Sequence, residues 1–145
     1  MRVFTIGFTK KSASDFFGLL RSSGAKRIVD VRLNNVSQRS GFAKRDDLEY
    51  FLREICGIDY LHLPELAPTQ AMLDDYRKGH KNWSKYENQF IDLMEQRRIE
   101  NNVPKEAITE GCLLCSEDKP HHCHRRLVAQ YLSERWGDVE VRHLG

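Results

Sequence analysis

The residues that could do chemistry crowd into one stretch, Glu110 to Arg126. It holds Cys112, Cys115 and Cys123 with His121, His122 and His124, so three of the four cysteines and three of the six histidines lie together. Glu117 and Asp118 add carboxylates, and Arg125 and Arg126 add guanidinium groups. The apolar run through Leu113 and Leu114 ends at Cys115, and Pro120 marks a turn before a helical pattern opens at Cys123 and His124. A thiol at a strand exit, beside a helix N-terminus and a cluster of bases, is favoured as thiolate. Cys115 is therefore a candidate nucleophile or redox thiol, with His124 as acid or base and Glu117 orienting a partner. The competing reading is a small buried hydrophobe, the commoner role for a strand cysteine.

Two further chemistries arise from the same stretch. Zinc prefers thiolate and imidazole, and a Cys115, Cys123, His124 set with one more ligand would suit it. Cys112 does not join that set, because residues three apart in a strand face opposite sides. No cofactor is expected beyond that zinc alternative. Arg125 and Arg126 fall in the first turn of a helix, where the macrodipole disfavours cations. Either a bound anion or the nearby Glu117 and Asp118 must offset them.

The elements that position these groups read as alternating strand and helix. Strands are expected at Val3–Phe8, Arg27–Leu33, Ile58–Leu63, around Cys112–Cys115, and at Val139–Leu144, from β-branched and apolar runs. Helices follow from Ser12 or Ser14 to Gly24, from Asp46 or Asp47 through Leu48, Phe51, Leu52 and Ile55 to Gly57, around Met72 to Tyr76, from Trp83 to Met94, and from Cys123 to Gly137. Asn101–Lys105 reads as a loop. The fold class is α/β: one three-layer domain over residues 1–145, with a mainly parallel sheet of about five strands and helices on both faces.

In such sheets ligands gather beyond the carboxyl ends of the strands. Those ends carry Gly7, Asp30 and Arg32, His62, and Cys115 with Glu117. Asp30 and Arg32 face the same side of a pleat and form either a structural ion pair or the edge of a site. The long segment after them offers Ser37, Arg39 and Lys44 as ligand-binding groups, with Arg125 from the last helix.

A net charge of +2 does not itself imply nucleic acid, so that partner rests on the acid-free cluster Arg32, Arg39, Lys44 and Arg45, with Phe42 to stack a base. No segment has the apolar length of a membrane span, and the N-terminus lacks a signal peptide's pattern. A cytoplasmic protein follows, with its four cysteines as free thiols or metal ligands rather than a disulfide framework. Cys56 has no partner pattern and reads as core. Oligomeric state leaves no trace in the sequence.

Thr5-Ile6-Gly7, Val29-Asp30-Val31-Arg32 with Ser37 and Phe42, Gly57-Ile58 with Tyr60 and Leu63-Pro64-Glu65-Leu66, and Leu113-Leu114-Cys115 with Glu117, Cys123-His124-Arg125, together resemble the prokaryotic family called domain of unknown function 488. Phe8 stands where that family usually has His, Val36 where it often has Pro, and Ala67-Pro68-Thr69 replace a Gly-rich turn. The resemblance implies a fold and a residue set without an established reaction: Asp30, Arg32, Ser37, Cys115, Glu117, Cys123, His124 and Arg125. The expected function is an enzyme with a Cys/Glu/His/Arg pocket acting on a phosphate- or carboxylate-bearing anion. The alternatives are a non-catalytic nucleic-acid-binding module and a structural zinc domain.

Overall fold

A computed structural model describes residues 1–34, 41–79, 82–117 and 123–145. Five strands form one all-parallel sheet in the order β3-β2-β4-β1-β5: β1 (Arg2–Gly7), β2 (Arg27–Asp30), β3 (Asp59–His62), β4 (Gly111–Cys115) and β5 (Glu140–His143). Parallel pairing needs a crossover between strands, and right-handed crossovers put the helices on both faces. β1, β2 and β4 are buried on both sides, which is why their sequences read as apolar runs rather than alternations.

The first face is covered by α1 (Ala13–Ser23) and α2 (Arg45–Phe51). Ser12 caps α1 by accepting from the Asp15 amide, and Gly24 ends it in the left-handed region. Phe16, Phe17 and Leu20 of α1 meet Leu48 of α2, then Leu52, over Phe4, Ile6, Ile28, Cys112 and Leu114 of the strands. The opposite face carries α3 (Gln70–Lys78), α4 (Trp83–Arg97), α5 (Ile99–Asn102), α6 (Lys105–Ile108) and α7 (His124–Trp136). There Tyr86, Phe90 and Met94 of α4 pack with Leu127, Val128, Tyr131 and Leu132 of α7 against Val3, Val29, Leu113 and Cys115. Cys112 and Cys115 thus belong to opposite faces, as their spacing requires.

Several boundaries differ from the sequence reading. β2 stops at Asp30: the Val31 amide still reaches the Leu114 carbonyl of β4, but the Val31 and Arg32 carbonyls and the Arg32 amide bond to side chains. The cap of α2 is Lys44, with Asp46 and Asp47 inside the first turn, where acids suit the macrodipole. After Phe51 this helix widens into a π-helical turn over Leu52–Cys56, which breaks the 3.6-residue phase and leaves Ile55 exposed instead of packed. The expected loop at Asn101–Lys105 holds the ends of two short helices, α5 and α6. Their polar residues mask three buried anchors, Ile99, Val103 and Ile108, that fasten them to the core.

At the end of β1, Gly7 lies against the segment that leaves β4. A Cβ on Gly7 would overlap the carbonyl oxygen of Glu117 and stand 2.7 Å from Arg125 Nη1. Gly7→Ala is expected to lower stability by about 2 kcal/mol or more in urea denaturation, as overpacking against backbone does. Gly18→Ala, at an exposed position of α1 with open space around it, should instead stabilise by about 0.5–1 kcal/mol. Equal midpoints for the two variants would contradict this packing.

Candidate functional site

The connections after β1 and β2 run to the first face through α1 and α2, whereas the connection after β4 runs to the opposite face through α7. β4 lies between β1 and β2, so its carboxyl end is flanked by two reversals of direction. Crevices open at such points. Cys115 ends β4 there, paired in register with Gly7, while Asp30 pairs with Leu114.

The segment leaving β2 is held by side chains. Asp30 is fully buried and receives Arg32 in a bidentate pair, Nε to Oδ1 at 2.9 Å and Nη2 to Oδ2 at 2.8 Å. It also accepts from the Arg32 amide at 3.1 Å and from the Tyr60 hydroxyl at 2.6 Å. The guanidinium donates a further bond to the Ala43 carbonyl at 2.8 Å and lies over the Phe8 ring at 5.3 Å. Two imidazoles then satisfy successive carbonyls. His124 Nε2–H donates to Val31 at 2.7 Å, and His62 Nε2–H donates to Arg32 at 2.8 Å. One atom of this cluster stays open: Arg32 Nη1 is buried and has no hydrogen-bond partner among the described residues.

Cys115 and Cys123 are joined as a disulfide across the gap between the end of β4 and the start of α7. This corrects the expectation that the cysteines are unbridged; only Cys56 and Cys112 are free thiols. The fold brings Cys123 to the cap position of α7, and α7 packs its apolar face on β4, which carries the two sulfurs together. Arg125, fully buried in the first turn, donates from Nη1 to Cys115 Sγ at 3.3 Å and to the backbone carbonyl of Glu117. Its charge at the helix N-terminus meets the sulfur and the Glu117 carbonyl; Asp118, the other internal partner expected from the sequence, lies outside the described residues.

Burial pushes the His124 imidazole down to about 4, against the hydrogen bond to Val31 that favours its charged form; Arg125 nearby pushes it further down. The ring is neutral at physiological pH, with its proton on Nε2 and a lone pair on Nδ1. Burial also raises the thiols of Cys112 and Cys56, so neither is a nucleophile at neutral pH.

A cavity of about 370 Å³ opens in front of these groups. Arg32, Cys115, Glu117, Cys123 and His124 line it together with the aromatic residues Tyr76, Trp83 and Tyr86. Cys115 is only 1% exposed, and this residue forms part of the cavity wall. A cavity of similar volume, about 380 Å³, lies at the opposite edge around Arg27, Arg53 and Asp59, and neither thiol nor imidazole lines it.

A family model described as "Domain of unknown function DUF488" matches residues 12–132. The chain belongs to that family. The match spans Asp30, Arg32, Cys115, Glu117, Cys123, His124 and Arg125, and leaves β1, with Thr5-Ile6-Gly7, outside the matched residues. Comparisons with curated proteins and with solved structures return no match. Phe8, ahead of the matched residues, places its ring 5.3 Å from the Arg32 guanidinium.

Of the residues singled out by sequence, the fold gathers Asp30, Arg32, Cys115, Glu117, Cys123, His124 and Arg125 at this one edge. The Glu117 side chain is exposed on the rim, and it is the backbone carbonyl of this residue that Arg125 uses. Ser37 and Arg39 lie outside the described residues. Lys44 caps α2 and does not line the cavity. Of the groups offered to nucleic acid, Arg32 is buried, Phe42 packs on Phe16 and Phe17, and Arg45 pairs with Asp46. Tyr60, Tyr76, Trp83 and Tyr86 were not foreseen as site residues. The signal available was Trp83 and Tyr86, three apart on one helical face, a pattern that a core would also produce. No described helix is long and apolar enough to cross a membrane.

The neutral His124 has a consequence for pH. Between its folded value and the ordinary 6.5, the unfolded chain binds a proton that the folded chain does not, so stability rises with pH across that window. Acidification from pH 7 to pH 5 is expected to cost about 2 kcal/mol through this residue alone. Urea denaturation of wild type and His124→Gln at both pH values tests it: the variant should lose that much less. Parallel losses in the two proteins would contradict the assignment.

Proposed function

We propose that the chain is an enzyme that acts on a small phosphate- or carboxylate-bearing anion in the cavity between Arg32 and Cys115. The observation that carries this reading is the buried Arg32 Nη1, without a hydrogen-bond partner among the described residues, on a side chain that lines the same cavity as the sulfur. A buried donor left unpaired costs about 1–3 kcal/mol, more when charged, and an anion supplies the missing acceptor. Asp30 holds the rest of the guanidinium rigid, so the donor is fixed before the ligand arrives.

Cys115 is the nucleophile once its bond to Cys123 is reduced. A dithiol reductant supplies the two electrons and two protons, and itself leaves as a disulfide. The Arg125 guanidinium at 3.3 Å stabilises the resulting thiolate. The thiolate then attacks the electrophilic centre of the anion: the bond from Sγ forms as the bond to the leaving group breaks, and the exposed Glu117 carboxyl on the rim protonates that group. Water hydrolyses the Sγ adduct, returning the proton to Glu117 and freeing Cys115. His124 has the orienting role, because a ring held neutral with Nε2–H tied to Val31 is a poor proton carrier near neutral pH.

Paired alkylating reagents test both halves of this reading. In metal-free protein reduced with a phosphine, site-resolved mass spectrometry should find Cys115 alkylated faster by anionic iodoacetate than by neutral iodoacetamide, with inorganic phosphate slowing the anionic reagent. Urea-unfolded protein should reverse the order, and Arg32→Met should abolish the preference for the anion. Inertness of Cys115 to both reagents in the folded reduced protein, or a preference for the neutral one, would overturn the proposal.

A further inference from the structure

We infer that the reduced protein binds one zinc ion through Cys115 Sγ, Cys123 Sγ and His124 Nδ1, with the fourth coordination position facing the cavity. Among the described residues these three form the single group whose potential ligand atoms all lie within 4.8 Å of one another. Two thiolates and one imidazole are the donors zinc prefers, and three protein ligands with one open position is the pattern of catalytic zinc.

The surroundings of each ligand favour this use. Metal-bound histidines usually give their second ring N–H to a carbonyl or carboxylate, which fixes the tautomer and turns the remaining lone pair toward the ion. His124 does so: its Nε2–H donates to the Val31 carbonyl at 2.7 Å, which leaves Nδ1 as the lone-pair atom. Arg125 Nη1, 3.3 Å from Cys115 Sγ, is a donor suited to a metal-bound thiolate. The backbone spacing also fits. The Cα atoms of Cys115 and Cys123 are 7.3 Å apart, beyond the range of about 4.4–6.8 Å usual for bridged cysteines. Two sulfurs at about 2.3 Å from one tetrahedral ion sit roughly 3.8 Å apart, and that wider span matches the wider backbone. All three ligands line the cavity, so the open position faces it.

Disulfide and zinc are alternatives at the same sulfurs. Two electrons and two protons convert the disulfide to two thiols, and zinc binding then releases two protons. Zinc with two thiolates is neutral, and the open fourth position can take water, hydroxide or a carboxylate or phosphate oxygen of the substrate. Zinc binding and nucleophilic attack exclude each other at Cys115, the free thiolate belonging to the metal-free reduced protein. The inference rests on the same site as the proposed chemistry but does not depend on Arg32, so the two can fail separately.

The test uses the full chain, reduced with a phosphine, stripped with EDTA and titrated with zinc or cobalt(II). We expect one zinc per chain, a rise in thermal midpoint on zinc addition, and a cobalt adduct with thiolate charge-transfer absorption and the intense visible bands of tetrahedral coordination. Cys123→Ser and His124→Gln should each weaken zinc by at least about tenfold, whereas Cys56→Ser should leave it unchanged. Arg32→Met should keep the zinc while losing the preference for iodoacetate. The wild-type cobalt spectrum reads the ligands even where a variant folds poorly. Substoichiometric zinc with no thiolate charge-transfer band, or affinity unchanged in both ligand variants, would overturn the inference.

Discussion

The buried pair of Asp30 and Arg32 sets the geometry of everything at the carboxyl edge of the sheet. Two charges removed from water cost several kcal/mol each before their attraction is counted, so such a pair survives only when its remaining donors and acceptors are met. Asp30 meets that condition with four hydrogen bonds, two from the guanidinium, one from the Arg32 amide and one from Tyr60. Arg32 meets it on the Asp30 and Ala43 sides, and its Nη1 has no hydrogen-bond partner among the described residues. The pair therefore ties β2 to β3 and to the 3₁₀ turn Gly41–Ala43, and the Arg32 side chain borders the cavity.

The backbone beyond β2 then depends on two histidines. Once the chain leaves the ladder, its carbonyls need donors, and buried carbonyls are rarely left without them. His62 from β3 and His124 from α7 supply these to Arg32 and Val31. His124 thereby acquires a fixed tautomer, with a ring nitrogen within 4.8 Å of the two sulfurs, and Arg125, one residue on, reaches Cys115 and the Glu117 carbonyl. Gly7 permits this because only a residue without Cβ lets the Glu117 carbonyl come so close to β1. A structural requirement, closing the exit of β2, and a chemical one, presenting sulfur to a cavity, are met by the same side chains.

Much of this was legible in the amino-acid order. Parallel α/β architecture follows from apolar runs at β1, β2 and β4 separated by amphipathic helices, and the strand-end rule then collects Gly7, Arg32 and Cys115 at one edge. The separation of Cys112 from Cys115 followed from pleat geometry alone. Other features depend on contacts that no local pattern carries. The π-helical turn over Leu52–Cys56 and the short helices α5 and α6 arise from packing of Leu52, Ile99, Val103 and Ile108 against the core, where tertiary contacts override local preference. The roles of His62 and His124 as backbone donors depend on where distant segments meet, 30 and 93 residues from the carbonyls they serve. The Cys115–Cys123 bond likewise reflects how α7 returns to β4, not a spacing that marks a disulfide framework.

The central claim is that Arg32, fixed by Asp30, holds an anion within reach of Cys115. A crystal structure of the reduced protein grown with inorganic phosphate tests it most directly. The account predicts phosphate in the cavity, hydrogen-bonded to Arg32 Nη1 and bordered by the sulfur of Cys115. A cavity filled by water alone, with phosphate found only at exposed arginines or in the opposite cavity around Arg27 and Arg53, would contradict it.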